Sequence, residues 1–530
     1  MAENVKTQIE EGKTALGIEL GSTRIKAVLV DKDNNPVALG EHPWENSFKD
    51  GIWTYSVREI INGLQDCYAK MAANVKEKYG VDLTTVGAIG ISAMMHGYMV
   101  FDKENNLLAP FRTWRNNNAA YAAERLTEEF EFHIPARWSI AHLYQAILDG
   151  EKHIENIAFQ TTLGGYVHFL LTGRKVIGIG EASGMFPIDY EKKDFDDKML
   201  VRFDELVKGK VSFNLKDILP EILLAGENGG TLTEDGALLL DPTGKLRCGI
   251  PFCPPEGDAG TGMVATNSVR KRTGNVSAGT SVFAMIVLEK ELSKVYPEID
   301  IVTTPTGIPV GMVHCNNCTS DINAWVNVFE EFSSLLGTDI SKKKLFEKLF
   351  TEAEKGEKDC GGLLTYNYVS NEHITRVEKG RPLFVRTTES KFSLQNFMRS
   401  LVYSAFGALK TGCDIMLKEE GVCLDRITGH GGIFKTERVG QSVLAAAINT
   451  PVSVMKTAGE GGAWGIALLA NYMIQKKKNE SLEDYLDEHV FKNSEGITLS
   501  PNPADVKGFE EYMTRYLNGL PVVREATRLL

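Results

Sequence analysis

A chain of 530 residues exceeds what one hydrophobic core organises, since cores stop growing near roughly 250–300 residues, so two large domains are expected. Its composition, 43% hydrophobic and 24% charged with 50 glycines and no low-complexity tract, excludes a disordered or fibrous chain. A formal charge of -12 argues against nucleic acid or an anionic membrane as the main partner, because both would repel it at long range.

The first residues, Met1 to Thr14, are polar and of mixed charge, unlike the apolar stretch of a secretory signal. Ala15 to Asp31 reads as two apolar runs around Gly21-Ser22-Thr23, followed by Asn34-Asn35-Pro36 and a third apolar run. This predicts strand, tight turn, strand, turn, strand. Ser56 then precedes Ile60, Ile61, Leu64, Tyr68, Met71 and Val75 at helical spacing, so a helix with Ser56 as N-cap is expected. Leu83 to Phe101 carries no formal charge, but Thr84, Thr85, Ser92, His96 and its glycines make it too polar and broken to sit in lipid. Within it, Val86 to Ser92 has the length of a buried strand whose end delivers Met94-Met95-His96 into a loop, where α/β proteins keep their chemistry. Val100 to Asn106 repeats the turn chemistry of Asp31 to Asn35 and predicts a second hairpin.

Thr273 to Leu288 echoes the opening pattern, with Gly279-Thr280-Ser281 between two apolar runs about half a chain length after Gly21. Duplication is suggested, with a boundary near Asp258 to Thr273. Further on, Phe392, Phe397, Leu401, Ala405 and Leu409 can share one helical face before the glycine-rich passage Gly429-His430-Gly431-Gly432. A helix over Glu437 to Ile448, a strand at Val452 to Met455, and a helix from Ala463 to about Gln475 opened by Gly459-Glu460-Gly461-Gly462 are predicted next. The charged tail from Lys476 should pack back through Tyr485, Val490 and Phe491. The eight cysteines (Cys67, Cys248, Cys253, Cys315, Cys318, Cys360, Cys413, Cys423) are mostly scattered, which favours reduced thiols and the cytoplasm. His314-Cys315-x-x-Cys318 has no second pair of ligand-type residues nearby, so buried thiols are the better reading there than zinc.

Gly-Ser-Thr and Gly-Thr-Ser turns expose successive backbone N–H groups beside hydroxyls, a concavity suited to phosphate oxygens, although a plain hairpin explains either one alone. Two of them, with a third glycine-rich turn before a helix, match a two-lobed nucleotide clamp. The ordered set Gly17 to Lys26, Ile91 to Gly97, Trp114 to Asn117, Gly257 to Gly260, Ser277 to Ser281, and Gly429 to Gly432 with Gly459 to Ala463 resembles the motifs of the FGGY family of carbohydrate kinases. These are relatives of actin, hexokinase and the heat-shock-chaperone ATPase domain, and the resemblance covers nearly the whole chain. It implies an α/β fold of two ribonuclease-H-like (actin-like ATPase) domains around a central cleft. Residues 14–262 would bind mainly sugar, 263–472 mainly nucleotide, and 473–530 would form an extension on the body.

The resemblance also implies ATP and Mg2+ as cofactors and a small-molecule sugar as acceptor. Asp258 matches the catalytic aspartate, which orients the sugar hydroxyl and takes its proton; a plain glycine-turn aspartate is the alternative. Glu19 stands where the family has a magnesium-associated aspartate, and an inward acid paired with Lys26 or Arg24 is the alternative. Lys26 falls where a cation lies near the transferred phosphate, with Gly21, Ser22, Thr23, Gly279, Thr280, Gly431 and Gly432 as the other nucleotide contacts. Met95 and His96 resemble the sugar loop of xylulokinases, Trp114 could pack on a sugar face or in the core, and Asn116 replaces an aspartate with an amide that can still bridge two hydroxyls. Ala259 instead looks like the Asp-Ala of ribulokinases. A ketopentose, D-xylulose or L-ribulose, is therefore the expected acceptor, ahead of other sugars, polyols and aldonates. A conformational ATPase of the actin type without a sugar substrate, and a sugar-binding regulator without catalysis, are the other readings. A homodimer is compatible with all of them.

Overall fold

The computed structural model describes residues 2–338, 340–455, 461–494 and 496–530. The expected opening of a helix at Gly459-Glu460 lies outside them. The chain divides into two compact units, one of residues 1–269, 301–310 and 460–493, the other of residues 270–300, 311–459 and 494–530. The units are therefore discontinuous in sequence, unlike the contiguous ranges that the motifs suggested.

The first unit is built on a mixed sheet. Strands β1 (Ala15–Leu20), β2 (Arg24–Val30) and β3 (Pro36–Pro43) form the predicted antiparallel hairpins. Helix α1 (Val57–Tyr79) follows, and Ser56 caps it in a full capping box with Glu59. Strand β4 (Ala88–Ala93) then lies parallel to β1. Alternation decides what each face meets. Ile18, Ala27 and Gly40 are in register on the face covered by α1, where a Cβ on Gly40 would stand 2.2 Å from Cys67 O. Gly17 and Val28 face the other way, against the helix Gly461–Gln475, and a Cβ on Gly17 would stand 2.1 Å from Ala463 O. Only glycine lets helix backbone lie this close to a strand.

That contact assigns the helix Gly461–Gln475 to the first unit. Asn471 Nδ2 donates to Asp31 O and Asn34 Oδ1, Trp464 Nε1 to Asn34 O, and Tyr485 OH to Asn34 Oδ1, so the β2–β3 turn is held by this segment. The Asp102 turn repeats the Asp31 turn, each aspartate accepting from N–H groups two and four residues on. The chain beyond Asp102 folds back as the expected hairpin through two isolated antiparallel bridges, Phe101 to Leu107 and Tyr98 to Arg112, and the strand Met99–Phe101 has a further ladder partner at Phe159–Thr161.

The second unit repeats the opening topology. Strand β5 (Thr273–Ala278) pairs antiparallel with β6 (Val282–Val287) and parallel with β7 (Arg426–His430), as β1 does with β2 and β4. Strand β8 (Val452–Met455) continues the sheet parallel to β7. Helix Leu394–Asp414 buries Phe397, Leu401, Ala405 and Leu409, whereas Phe392 precedes it and is exposed. The tail is split. Tyr485 and Phe491 are buried in the first unit, while the strand Gly496–Leu499 pairs with β8 and the helix Pro503–Leu529 is held to the second unit by Arg399 to Asp505 at 2.6 Å. No helix among the described residues is long and apolar enough to cross a membrane.

Candidate active site

Three parallel strands of the first unit end level with one another. The short strand Glu256–Gly257 pairs with β4 so that Glu19, Ser92 and Glu256 are neighbours across the sheet, followed by Leu20, Ala93 and Gly257. The next residues of each strand are the Gly21 turn, the Met94–His96 loop and Asp258, all at the carboxyl ends where open α/β sheets bind ligands. Asp258 opens the helix Asp258–Ala265, and its Oδ1 accepts the Met95 N–H at 3.1 Å. Thr261, one turn on, meets Ser92 at 3.1 Å between hydroxyls. Burial raises the pKa of Asp258, and the Met95 and Ala259 N–H groups oppose the rise.

Glu19 lies on the face covered by the helix Gly461–Gln475, where its Oε2 accepts from Ala463 N at 3.2 Å. Its pKa is pushed up to about 7, first by burial and then by the charge of Asp258, against the Ala463 N–H, Lys26 and Arg24. Lys26 is directly across the ladder from Glu19, and Arg24 pairs instead with Glu41 at 3.4 Å. His96 is buried with a left-handed backbone (φ 71°), its Nδ1 lies 3.2 Å from Gly184 O, and its ring stacks on Trp138. Met95 is buried beside it.

Asn116 is buried. Its Nδ2 donates to Trp53 O at 2.8 Å and Thr113 O at 2.9 Å, and its Oδ1 accepts from Trp53 N at 2.9 Å. Both amide protons are thus directed at backbone carbonyls. Trp114 is 37% exposed and donates its indole N–H to Ser22 Oγ at 3.1 Å.

The turn Gly21–Thr23 is closed by Gly21 N to Arg24 O at 3.0 Å. In the second unit Gly279 N bonds Ser281 O at 2.9 Å, and the ends of β5 and β7 are level, Ser277 beside His430. Gly431 follows with φ 106°, and a Cβ there would stand 2.4 Å from Ala278 O, so the backbone requires glycine. Gly279, Thr280 and Gly432 border a cavity of about 650 Å³ that Asn323, Lys343 and Phe346 also line. Burial lowers the pKa of His430, at the end of β7, to about 4. The structure thus brings Glu19, Gly21, Ser22, Thr23, Lys26, Met95, His96, Trp114 and Asp258 to one sheet edge of the first unit, and Gly279, Thr280, Gly431 and Gly432 to the corresponding edge of the second.

Two further carboxyl groups, not marked by any motif, lie beside Asp258. Glu256 accepts from Gly180 N and Glu181 N, and burial pushes its pKa to about 8. Glu181 is wholly buried, which raises its pKa far above the ordinary value, with Asp258 and Glu256 adding to the rise. The signal was a single acid inside the apolar stretch Val176 to Phe186. Cys315 and Cys318 are buried free thiols whose pKa values burial raises.

Sequence models confirm the class that this site defines. The one described as "FGGY family of carbohydrate kinases, N-terminal domain" matches residues 14–259, and its C-terminal counterpart matches residues 274–474. The chain belongs to the FGGY family of carbohydrate kinases. A xylulose kinase of Haemophilus influenzae is 22% identical over 517 residues, covering 95% of this chain and 99% of that protein. Among solved structures, a "xyloylose kinase" from Brucella ovis aligns with a TM-score of 0.77 at 16% identity (97% of this chain, 100% of that one). A gluconate kinase from Lactobacillus acidophilus aligns with a TM-score of 0.78 at 17% identity (96% and 98%).

Proposed function

We propose that this carbohydrate kinase moves the terminal phosphoryl group of ATP onto a hydroxyl of a ketopentose, D-xylulose or L-ribulose, with Asp258 as the general base. The carrying observation is the Asp258 carboxylate, held by the Met95 N–H in the loop that contains His96, at the level ends of three parallel strands. In the reaction the acceptor oxygen forms a bond to the γ-phosphorus, the bond from that phosphorus to the bridging oxygen of ADP breaks, and the hydroxyl proton passes to Asp258. His96 and Met95 would hold the sugar skeleton, and Gly21 to Thr23, Lys26, Gly279, Thr280, Gly431 and Gly432 the nucleotide. Xylulose kinase as the name of a relative along nearly the whole chain supports a ketopentose, as does the Met95-His96 pair.

Glu19 would hold Mg2+. Its pKa is raised first by burial and then by the charge of Asp258, and a hard cation on its oxygens would offset both. Among the described residues no group of three or more His, Cys, Asp or Glu could hold a metal, and Mg2+ commonly takes one or two carboxylates with phosphate and water oxygens. When bound, it would offset charge on the phosphate oxygens.

The test is ADP release measured over ketopentoses, other pentoses, hexoses, polyols and aldonates with Mg2+ and ATP. Release that rises only with a ketopentose supports the proposal. Release that rises with an aldonate or polyol instead moves the acceptor, and release indifferent to every sugar favours a conformational ATPase.

A further inference from the structure

We propose that Trp44 and Tyr55 are positioning residues for phosphate binding: they tie back the two carbonyls of the Gly21–Thr23 turn and so aim the Ser22 and Thr23 N–H groups at the nucleotide. The inference rests on the kinase reading above. In a trans peptide the N–H points away from the C=O of the same plane. Gly21 O accepts from Trp44 Nε1 at 2.7 Å, which fixes the direction of the Ser22 N–H. Ser22 O accepts from Tyr55 OH at 2.6 Å, which fixes that of the Thr23 N–H. Neither N–H donates to an acceptor among the described residues, so both are left for a ligand. Trp114 adds a third restraint, because its indole N–H occupies a lone pair of Ser22 Oγ and leaves the hydroxyl proton to be donated elsewhere.

The anchors are themselves immobilised. Trp44 and Tyr55 are buried, at 8% and 1% exposure, and stacked with ring centroids 4.1 Å apart. Burial raises the phenol to about 12, so it remains a donor at neutral pH. The second unit reaches the same end with other groups. Gly279 O accepts from Thr319 N at 3.1 Å and Thr319 Oγ1 at 2.7 Å, and Thr280 O accepts from Cys318 N at 2.9 Å. Two turns of different surroundings each have both carbonyls tied back, which marks the outward N–H pair as the shared requirement.

The test compares ATP with AMP, which lacks the outer phosphates, by calorimetric titration of the full chain with Mg2+. Tyr55→Phe and Trp44→Phe each delete one donor and keep an aromatic ring in the stack. Each should weaken ATP binding about 10-fold or more and leave AMP within about 2-fold of the parent. Equal loss for both ligands, or unchanged ATP affinity in both variants, overturns the positioning role while the kinase reading stands. Absence of ATP binding by the parent chain would sink the kinase reading itself.

Discussion

The turn at Gly21 and the turn at Gly279 are two versions of one device, and they differ in what surrounds it. Each joins the first two strands of its sheet, each has a parallel strand ending beside it, and each has both carbonyls bonded back into its own unit. Around the first are carboxylates, a lysine and aromatic anchors from distant parts of the chain. Around the second are backbone N–H groups at the start of the helix Ser320–Leu335, a neutral histidine and an open cavity. The backbone geometry is common to both turns, whereas the carboxyls Glu19 and Asp258 stand by the first and the side chains of Lys343, Glu347 and Lys435 border the cavity by the second. On the function proposed above, the acid–base chemistry belongs to the first unit.

Substitutions at the two turns and at Asp258 should differ in what they impair. Asp258→Asn should have the largest effect, lowering kcat roughly 1,000-fold or more because a general base is lost, with ATP affinity nearly unchanged; sugar-dependent turnover near the parent's rate would remove the assigned base. Gly431→Ala comes next, since it places a Cβ 2.4 Å from Ala278 O at a φ of 106°. It should raise the KM for ATP about 10-fold or more with the KM for sugar little changed, and an unaltered ATP dependence would separate this backbone from the nucleotide. Thr319→Ala removes one of two bonds to Gly279 O and leaves the Thr319 N–H in place, so ATP affinity should fall no more than about 3-fold. A loss as large as that of Tyr55→Phe would erase the distinction between main-chain and side-chain anchoring.

The smallest effect concerns stability. Glu256 has a pKa near 8 in the fold against an ordinary 4.5, so between those values the folded state keeps a proton that the unfolded state has released. Stability from this group is present below about 4.5 and is lost as pH rises toward 8. Glu256→Gln cannot hold that proton, so its urea midpoint should change less across this interval than the parent's. Equal slopes in the two proteins would show that Glu256 does not titrate there.

Local chemistry was legible wherever it is written in adjacent residues. The Gly21 and Gly279 turns, the Ser56 cap, the Asp31 and Asp102 turns and the strand before Met95 all follow from short patterns that specify their own backbone. Their repetition also exposed the duplicated topology. What could not be read was long-range partnership. Nothing near Asn116 indicates that its amide clamps Trp53, nor does anything near Trp44 or Tyr55 point to Gly21. The assignment of Gly461–Gln475 to the first unit depends on the β1 contact at Gly17 and on hydrogen bonds to Asn34 more than 400 positions away. Glu181 and Glu256 owe their significance to burial, which only the folded chain creates.

The most direct measurement is phosphorus NMR of the full chain incubated with Mg2+, ATP and D-xylulose, with L-ribulose in parallel. The γ-phosphate signal should be replaced by that of a sugar phosphate ester, with ADP appearing in equal amount. ADP accompanied only by inorganic phosphate, with no ester from either ketose, would contradict it.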